Sequence, residues 1–175
     1  KKKKINMDFI SSRAKELNIP FSFGGGIKNF YDAKNILYSG ADKIVINTSI
    51  YQNLNLIDEI SENIGAQSII ISIDVKKIDE EYICFSHSGS KNCGFELMIF
   101  LENLSKKKIG ELMLCSIDHE GTMRGYDLNL IEKVSKKMNI PLIASGGAGS
   151  YEDMHQALKA GASAVAAGAI FHFTE

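Results

Sequence analysis

Two glycine-rich segments, FGGGI at 23–27 and SGGAG at 145–149, each follow an apolar run and precede a helix-patterned one. Glycine there lets the main chain approach a ligand closely, and exposed N–H groups beside a helix N-terminus attract anions. A tight strand-to-helix turn without a ligand is the plainer reading of either segment alone. Each has a companion one strand further on, Asn47-Thr48 after the first and Gly168-Ala169 after the second. Two cradles of this kind imply a long substrate carrying a phosphate at each end.

Carboxylates stand between the two segments. Asp74 closes SIIISID and Asp118 closes LCSID, where His-Glu-Gly-Thr follows and Gly121 adds N–H donors. A carboxylate at the C-terminal rim of a strand can act as general acid or base, and it can equally cap its own loop. His87 and His119 fall on rim-side loops without the partner spacing of a metal site, so no metal is expected; His155 and His172 read as structural. Lys43 and Glu111 open their strands at the opposite end, as a surface ion pair or as a gate around a central pore.

Positioning these residues requires alternating elements. Strands are expected at 20–23, 43–48, 68–74, 111–118, 141–145 and 163–171, and helices near 5–17, 30–39, 52–64, 95–106, 127–138 and 151–160. Nearly continuous apolar runs suit parallel strands covered on both faces. The order is α/β, which leaves a doubly wound sheet or a barrel. A segment after Asp74, KKIDEEYICFSHSGSKNCG, inserts a hairpin at the end of a strand where α/β sites are built.

A displacement of 121 residues lays the chain on itself: Asn18-Ile19-Pro20 on Asn139-Ile140-Pro141, Gly25-Gly26 on Gly146-Gly147, Asp32 on Asp153, Gly40-Ala41 on Gly161-Ala162. Such a repeat marks a duplicated half-barrel. A (β/α)8 barrel takes about 250 residues, so the sequence reads as one partial barrel domain over 1–175, strands three to eight, lacking the first two strands and the last helix.

Composition narrows the partners. Twenty Lys and Arg against 21 Asp and Glu leave a net charge of -1, which disfavours nucleic acid. The stretch from Gly161 to Phe173 is short of the roughly 20 apolar residues of a membrane helix. KKKK at the start precedes polar sequence, so no secretory signal is expected. Cys84, Cys93 and Cys115 lack a paired spacing and suit reduced thiols in the cytoplasm.

Taken in order, FGGGI, ADKIVINTS, QSIIISIDVKK, SIDHEGTMRGYDL, IPLIASGGAGS and AVAAGAIFHF resemble the cyclase subunit of imidazole glycerol phosphate synthase. The resemblance covers essentially the whole chain. It implies a (β/α)8 barrel that receives ammonia from a glutaminase partner through its axis. The ammonia converts a bisphosphate ribulosyl nucleotide of histidine biosynthesis, without metal or organic cofactor. Asp74 matches one of two catalytic aspartates. Gly26, Asn47 and Thr48 match one phosphate site, while Gly121, Gly147 and the strand-end position of Ala169 match the other. Lys43 and Glu111 match members of the ammonia gate, and Ser88 and Asn92 match a mobile substrate loop.

The other catalytic aspartate of the family lies on a first strand outside this sequence, so the chain as written is expected to be catalytically incomplete. Glu120 stands where these enzymes usually carry Asp, and Ala169 where they carry Ser. Both changes resemble paralogues that amidate surface sugars, which leaves three readings: the histidine-pathway synthase, a sugar-amidating relative, and a non-catalytic barrel that binds the glutaminase.

Overall fold

The computed structural model describes residues 5–173. The opening KKKK and the chain end on which the missing last helix was read lie outside the described residues. The chain divides into two compact units, and β3 (Ile69–Ile78) passes from one into the other.

The first unit runs to Ile71 and includes residues 107–110. It contains α1 (Met7–Glu16), β1 (Ser22–Gly24), α2 (Phe30–Tyr38), β2 (Lys43–Ile46), a 3₁₀ turn (Thr48–Tyr51) and α3 (Asn55–Asn63). Strands β1, β2 and β3 pair in parallel, with Ser22 opposite Lys43 and Ile44 opposite Ile69. The β-branched run KIVI favours a strand, and its alternation buries Ile44 and Ile46 with Ile36, Ile57 and Ile60 of the helices. Lys107 pairs with Asp58 at the edge of this unit.

The second unit holds the rest of β3 with β4 (Glu81–Ser86), β5 (Lys91–Glu96), α4 (Leu97–Leu104), β6 (Glu111–Ser116), α5 (Leu128–Lys137), β7 (Leu142–Ser145), α6 (Tyr151–Lys159), β8 (Ala164–Ala166) and α7 (Ala169–Phe173). Its parallel strands run in the order β3, β6, β7, β8. Leu112, Leu114, Leu142 and Ala144 are buried with Leu101, Leu130, Ile131 and Val134. On β6 the alternate residues Glu111, Met113 and Cys115 are only half-buried. Full cover of both faces was the expectation; only the Ile-rich start of β3 has it, while β2, β6 and β7 show one buried and one half-buried face and the short β1 and β8 bury no residue.

The 121-residue repeat extends to individual hydrogen bonds. Helices α1 and α5 start on Asn6 and Asp127, whose side chains accept from Phe9 N–H and Leu130 N–H at 3.0 Å each. Asn29 and Ser150 cap α2 and α6 by accepting from Asp32 N–H and Asp153 N–H. Asp32 and Asp153 then turn back to accept from Lys28 N–H at 2.9 Å and Gly149 N–H at 3.0 Å. Phe21 N–H donates to the Asp42 carboxylate and Leu142 N–H to the Ser163 hydroxyl. Capping side chains of this type satisfy backbone donors that a helix start leaves open, so the repeat preserves local physics where residue identity has drifted.

The inserted hairpin is present and longer than expected. β3 runs to Ile78 and turns through Asp79 and Glu80, both at positive φ (46° and 70°), into β4. Two positive φ values make a hairpin turn whose twist suits the strands, usually built from Asn-Gly; here Lys77 pairs with Glu80 at 2.6 Å across it. Beside the same turn Tyr82, opposite Lys77, donates its O–H to the Asp127 carboxylate at 3.0 Å, tying β4 to the cap of α5.

Two boundaries need correction. The run 163–171 is not one strand: β8 stops at Ala166, and Ala169–Phe173 is helical after Gly168. Ala169 therefore opens a helix and is not a strand end. The run 43–48 likewise ends as a strand at Ile46, and Thr48 begins the 3₁₀ turn that corresponds to α7 in the repeat. In both places a polar or glycine residue breaks the apolar run before its composition changes.

Candidate functional site

In the first unit, parallel register sets the geometry. Gly24 ends β1 opposite Val45, so the segments leaving β1 and β2, Gly25-Gly26 and Asn47-Thr48, emerge at the same edge. Gly26 has φ 81°, a conformation that favours glycine. A Cβ there would meet nothing closer than the Ile5 side chain at 3.4 Å. Ser49 O–H donates to Ile27 C=O at 2.8 Å and links the two segments. Asn47 and Thr48 are half-buried beside them. Lys43 is the first residue of β2, at the opposite end of that strand.

The second unit carries the other group. Cys115 of β6 is opposite Ser145 of β7, and Ser145 is opposite Ala166 of β8. The loops that follow enclose an open hollow of about 230 Å³ lined by Glu120, Gly121, Gly146, Gly147, Gly168 and Ala169, among others. Gly121, Gly147 and Ala169, singled out for one anion site, thus lie around one hollow. Gly147 packs main chain against main chain: Gly125 N–H donates to its carbonyl at 2.8 Å, and a Cβ at 147 would run into the Gly125 carbonyl.

Asp74 does not close its strand as expected: β3 continues to Ile78 because it pairs on with β4, and Asp74 is half-buried within it, opposite Phe85. Ile117 N–H donates to Val75 C=O at 2.8 Å, so β3 and β6 run side by side here. Burial raises the thiols of Cys115 and Cys93, and the negative charge of Asp74 adds to the rise. Asp118 has a structural role: its carboxylate accepts from Lys77 N–H at 2.8 Å and pins the outgoing end of β3.

His87 Nδ1 and His119 Nδ1 lie 3.0 and 2.9 Å from the hydroxyls of Ser86 and Ser116. Among the described residues no group of three His, Cys, Asp or Glu side chains is placed to hold a metal ion. Glu111 opens β6, at the far end of that strand from Cys115. Ser88 is exposed at the hairpin tip with φ 56°, and neighbouring Gly89 sits over Ile117. Asn92 accepts from Gly94 N–H at 2.7 Å and shapes the strand after the tip.

Residue reading passed over Cys115, Ser145 and Tyr126. Cys115 donates to Glu120 Oε2 at 3.4 Å. Burial first, then the Glu120 and Asp74 charges, push its thiol up to about 12. Tyr126 O–H donates to Ala166 C=O at 3.0 Å and straps the loop after β6 to β8. The available signal was strand alternation, which places Cys115 on the same face as Glu111 and Met113.

The thiol shift has a direct test. The nucleophile is the thiolate, so at pH 8 Cys115 in the folded protein is expected to react with iodoacetamide about a thousandfold more slowly than an ordinary exposed thiol. Mass spectrometry of peptides from native and urea-unfolded protein measures the ratio. Equal labelling in both states would contradict the buried thiol.

The profile of the histidine biosynthesis protein family matches residues 1–175. The imidazole glycerol phosphate synthase subunit HisF of Sulfurisphaera tokodaii is 42% identical over 170 residues, 97% of this chain and 68% of that protein. The subunit of the same name from Thermotoga sp. strain RQ2 is 40% identical over 174 residues, 99% of this chain and 69% of that protein. That of Natranaerobius thermophilus is 42% identical over 170 residues, again 97% and 68%. With the family matched over residues 1–175 and relatives at 40–42% identity covering 97–99% of it, the chain belongs to the histidine biosynthesis protein family, among its imidazole glycerol phosphate synthase HisF subunits.

Proposed function

We propose that this protein is the cyclase subunit of an imidazole glycerol phosphate synthase, a lyase of histidine biosynthesis that uses ammonia on a bisphosphate ribulosyl nucleotide. The relatives named above all carry the synthase's name, which favours this substrate over an activated sugar and over a non-catalytic role. The family's (β/α)8 barrel, to which residues 1–175 contribute strands three to eight as one domain, is the fold this reading assumes. It acts in the cytoplasm without a metal or organic cofactor. No helix among the described residues is long and apolar enough to cross a membrane.

The observation that carries the site assignment is the convergence of Gly121, Gly147 and Ala169 on one hollow with Glu120 at its wall. Main-chain N–H groups from three loops bind one phosphate there. Gly26, Asn47 and Thr48 bind the other, with side-chain amide and hydroxyl donors in addition. Holding the substrate by its phosphates orients the reacting carbon. Addition of ammonia to a carbonyl and loss of water each require a proton to be moved. Asp74 is the carboxylate that moves one of these protons. Ser88 and Asn92 on the hairpin cover the bound substrate. Ammonia comes from a glutaminase subunit and enters past Lys43 and Glu111.

Crystals soaked in sulfate test the anion sites. One sulfate is expected on the N–H groups around Gly121, Gly147 and Ala169, and a second at Gly26, Asn47 and Thr48. Sulfate bound elsewhere, with both cradles empty at saturating concentration, would remove the bisphosphate assignment.

A further inference from the structure

We propose that Cys115 is a positioning residue whose S–H group holds the Glu120 carboxylate against the inner wall of the glycine-lined hollow. The inference rests on the reading of that hollow as a phosphate site. The difficulty it resolves is electrostatic. A carboxylate at the rim of an anion cradle repels the ligand if it swings over the cradle, and a glutamate has three side-chain torsions with which to do so. Its main chain is fixed, because Glu120 N–H donates to Ser116 C=O at 3.0 Å. The side chain is then drawn inward by Cys115 Sγ, 3.4 Å from Oε2.

Register explains why the anchor stands where it does. Cys115 lies opposite Ser145 of β7, and β3 with Asp74 runs along the other edge of β6. The charges of Glu120 and Asp74 both act on the thiol. A neutral donor suits this position: it satisfies one oxygen of Glu120 without the positive charge that would compete with the ligand's own attractions. A thiol is a weak donor, and burial keeps it protonated.

The test uses the intact protein with ammonium salt as the nitrogen source. Cys115→Ala is expected to raise KM about fivefold, the size of one hydrogen bond, with kcat changed less than twofold. Cys115→Ser, which keeps a donor, restores most of the loss. In a Glu120→Gln background Cys115→Ala should cause no further rise, since the charge it restrains is gone. An activity-independent arm reads the S–H infrared band, identified by its disappearance in Cys115→Ser. That band should lie at the low frequency of a hydrogen-bonded thiol and move up in Glu120→Gln. Additive losses in the double variant, or a band indifferent to Glu120→Gln, would overturn the proposal. If the wild-type protein fails to turn over the bisphosphate nucleotide while the band still shifts, the functional reading falls and the anchoring contact survives it.

Discussion

In the full-length protein, Asp74→Asn is expected to leave the fold and substrate binding nearly intact while lowering ammonia-dependent turnover by roughly 10²–10⁴-fold, the usual contribution of a general acid-base group. The amide preserves the shape of a half-buried side chain on a strand paired on both sides, but it can neither accept nor return a proton. Steady-state assays with ammonium salt make the measurement independent of a glutaminase, and calorimetry on the inactive variant measures binding. A loss below threefold would return Asp74 to a structural role within β3. The choice of ammonium salt separates this outcome from damage to the ammonia route, because ammonia from bulk solvent need not pass Lys43 or Glu111.

Gly147→Ala should act through the backbone. Its φ of 106° lies in the region that side chains avoid, and the added carbon would overlap the Gly125 carbonyl. Left-handed backbone costs about 1–2 kcal/mol and overpacking a further 1–3 kcal/mol. We expect a loss of about 3 kcal/mol, a fall in Tm of roughly 6–12 °C for a chain of this size. Loss of phosphate affinity at the hollow should accompany it. The control is Gly168→Ala, where nothing lies within 4 Å of the added carbon. That variant should keep its Tm within about 2 °C, as surface changes usually do. Equal destabilisation by both substitutions would show that crowding at 147 is not the cause.

Periodic features were legible in the chain, and dihedral-dependent ones were not. The starts of α2 and α6 follow from Asn29 and Ser150, each placed before an amphipathic run with an aspartate three residues on. The 121-residue displacement was visible in a few glycines and prolines, yet the bonds it governs include pairs such as Asp42 with Ser163 that share only the ability to accept from an N–H group. The strand-to-helix change at Ala169 was hidden because alanine is compatible with a buried strand and favourable in a helix. Of the candidate site, glycine spacing picked out loops that line the hollow of the second unit. The Cys115–Glu120 contact could not be seen, because it depends on how the loop after β6 folds back on its own strand. Asp118 reads the same as Asp74 in sequence, a carboxylate after an apolar strand; only the partner on Lys77 N–H distinguishes them.

The hairpin between β3 and β6 has a consequence for how the chain closes on itself. Neighbouring strands joined by a single helix meet across short loops, as in the Phe21–Asp42 contact, 21 residues apart. Joining β3 to β6 spans nearly twice that, 41 residues between Lys77 and Asp118, because β4 and β5 intervene. Loop-closure entropy grows only with the logarithm of length, so a doubling adds about 0.6 kcal/mol. That increment is smaller than one ordinary hydrogen bond to a charged group, about 1.5–3 kcal/mol, and the Lys77–Asp118 bond is of that kind. The insertion that carries Ser88 and Asn92 is thus offset at its own base, and such a segment can lengthen or shorten with little effect on the stability of the strands it interrupts.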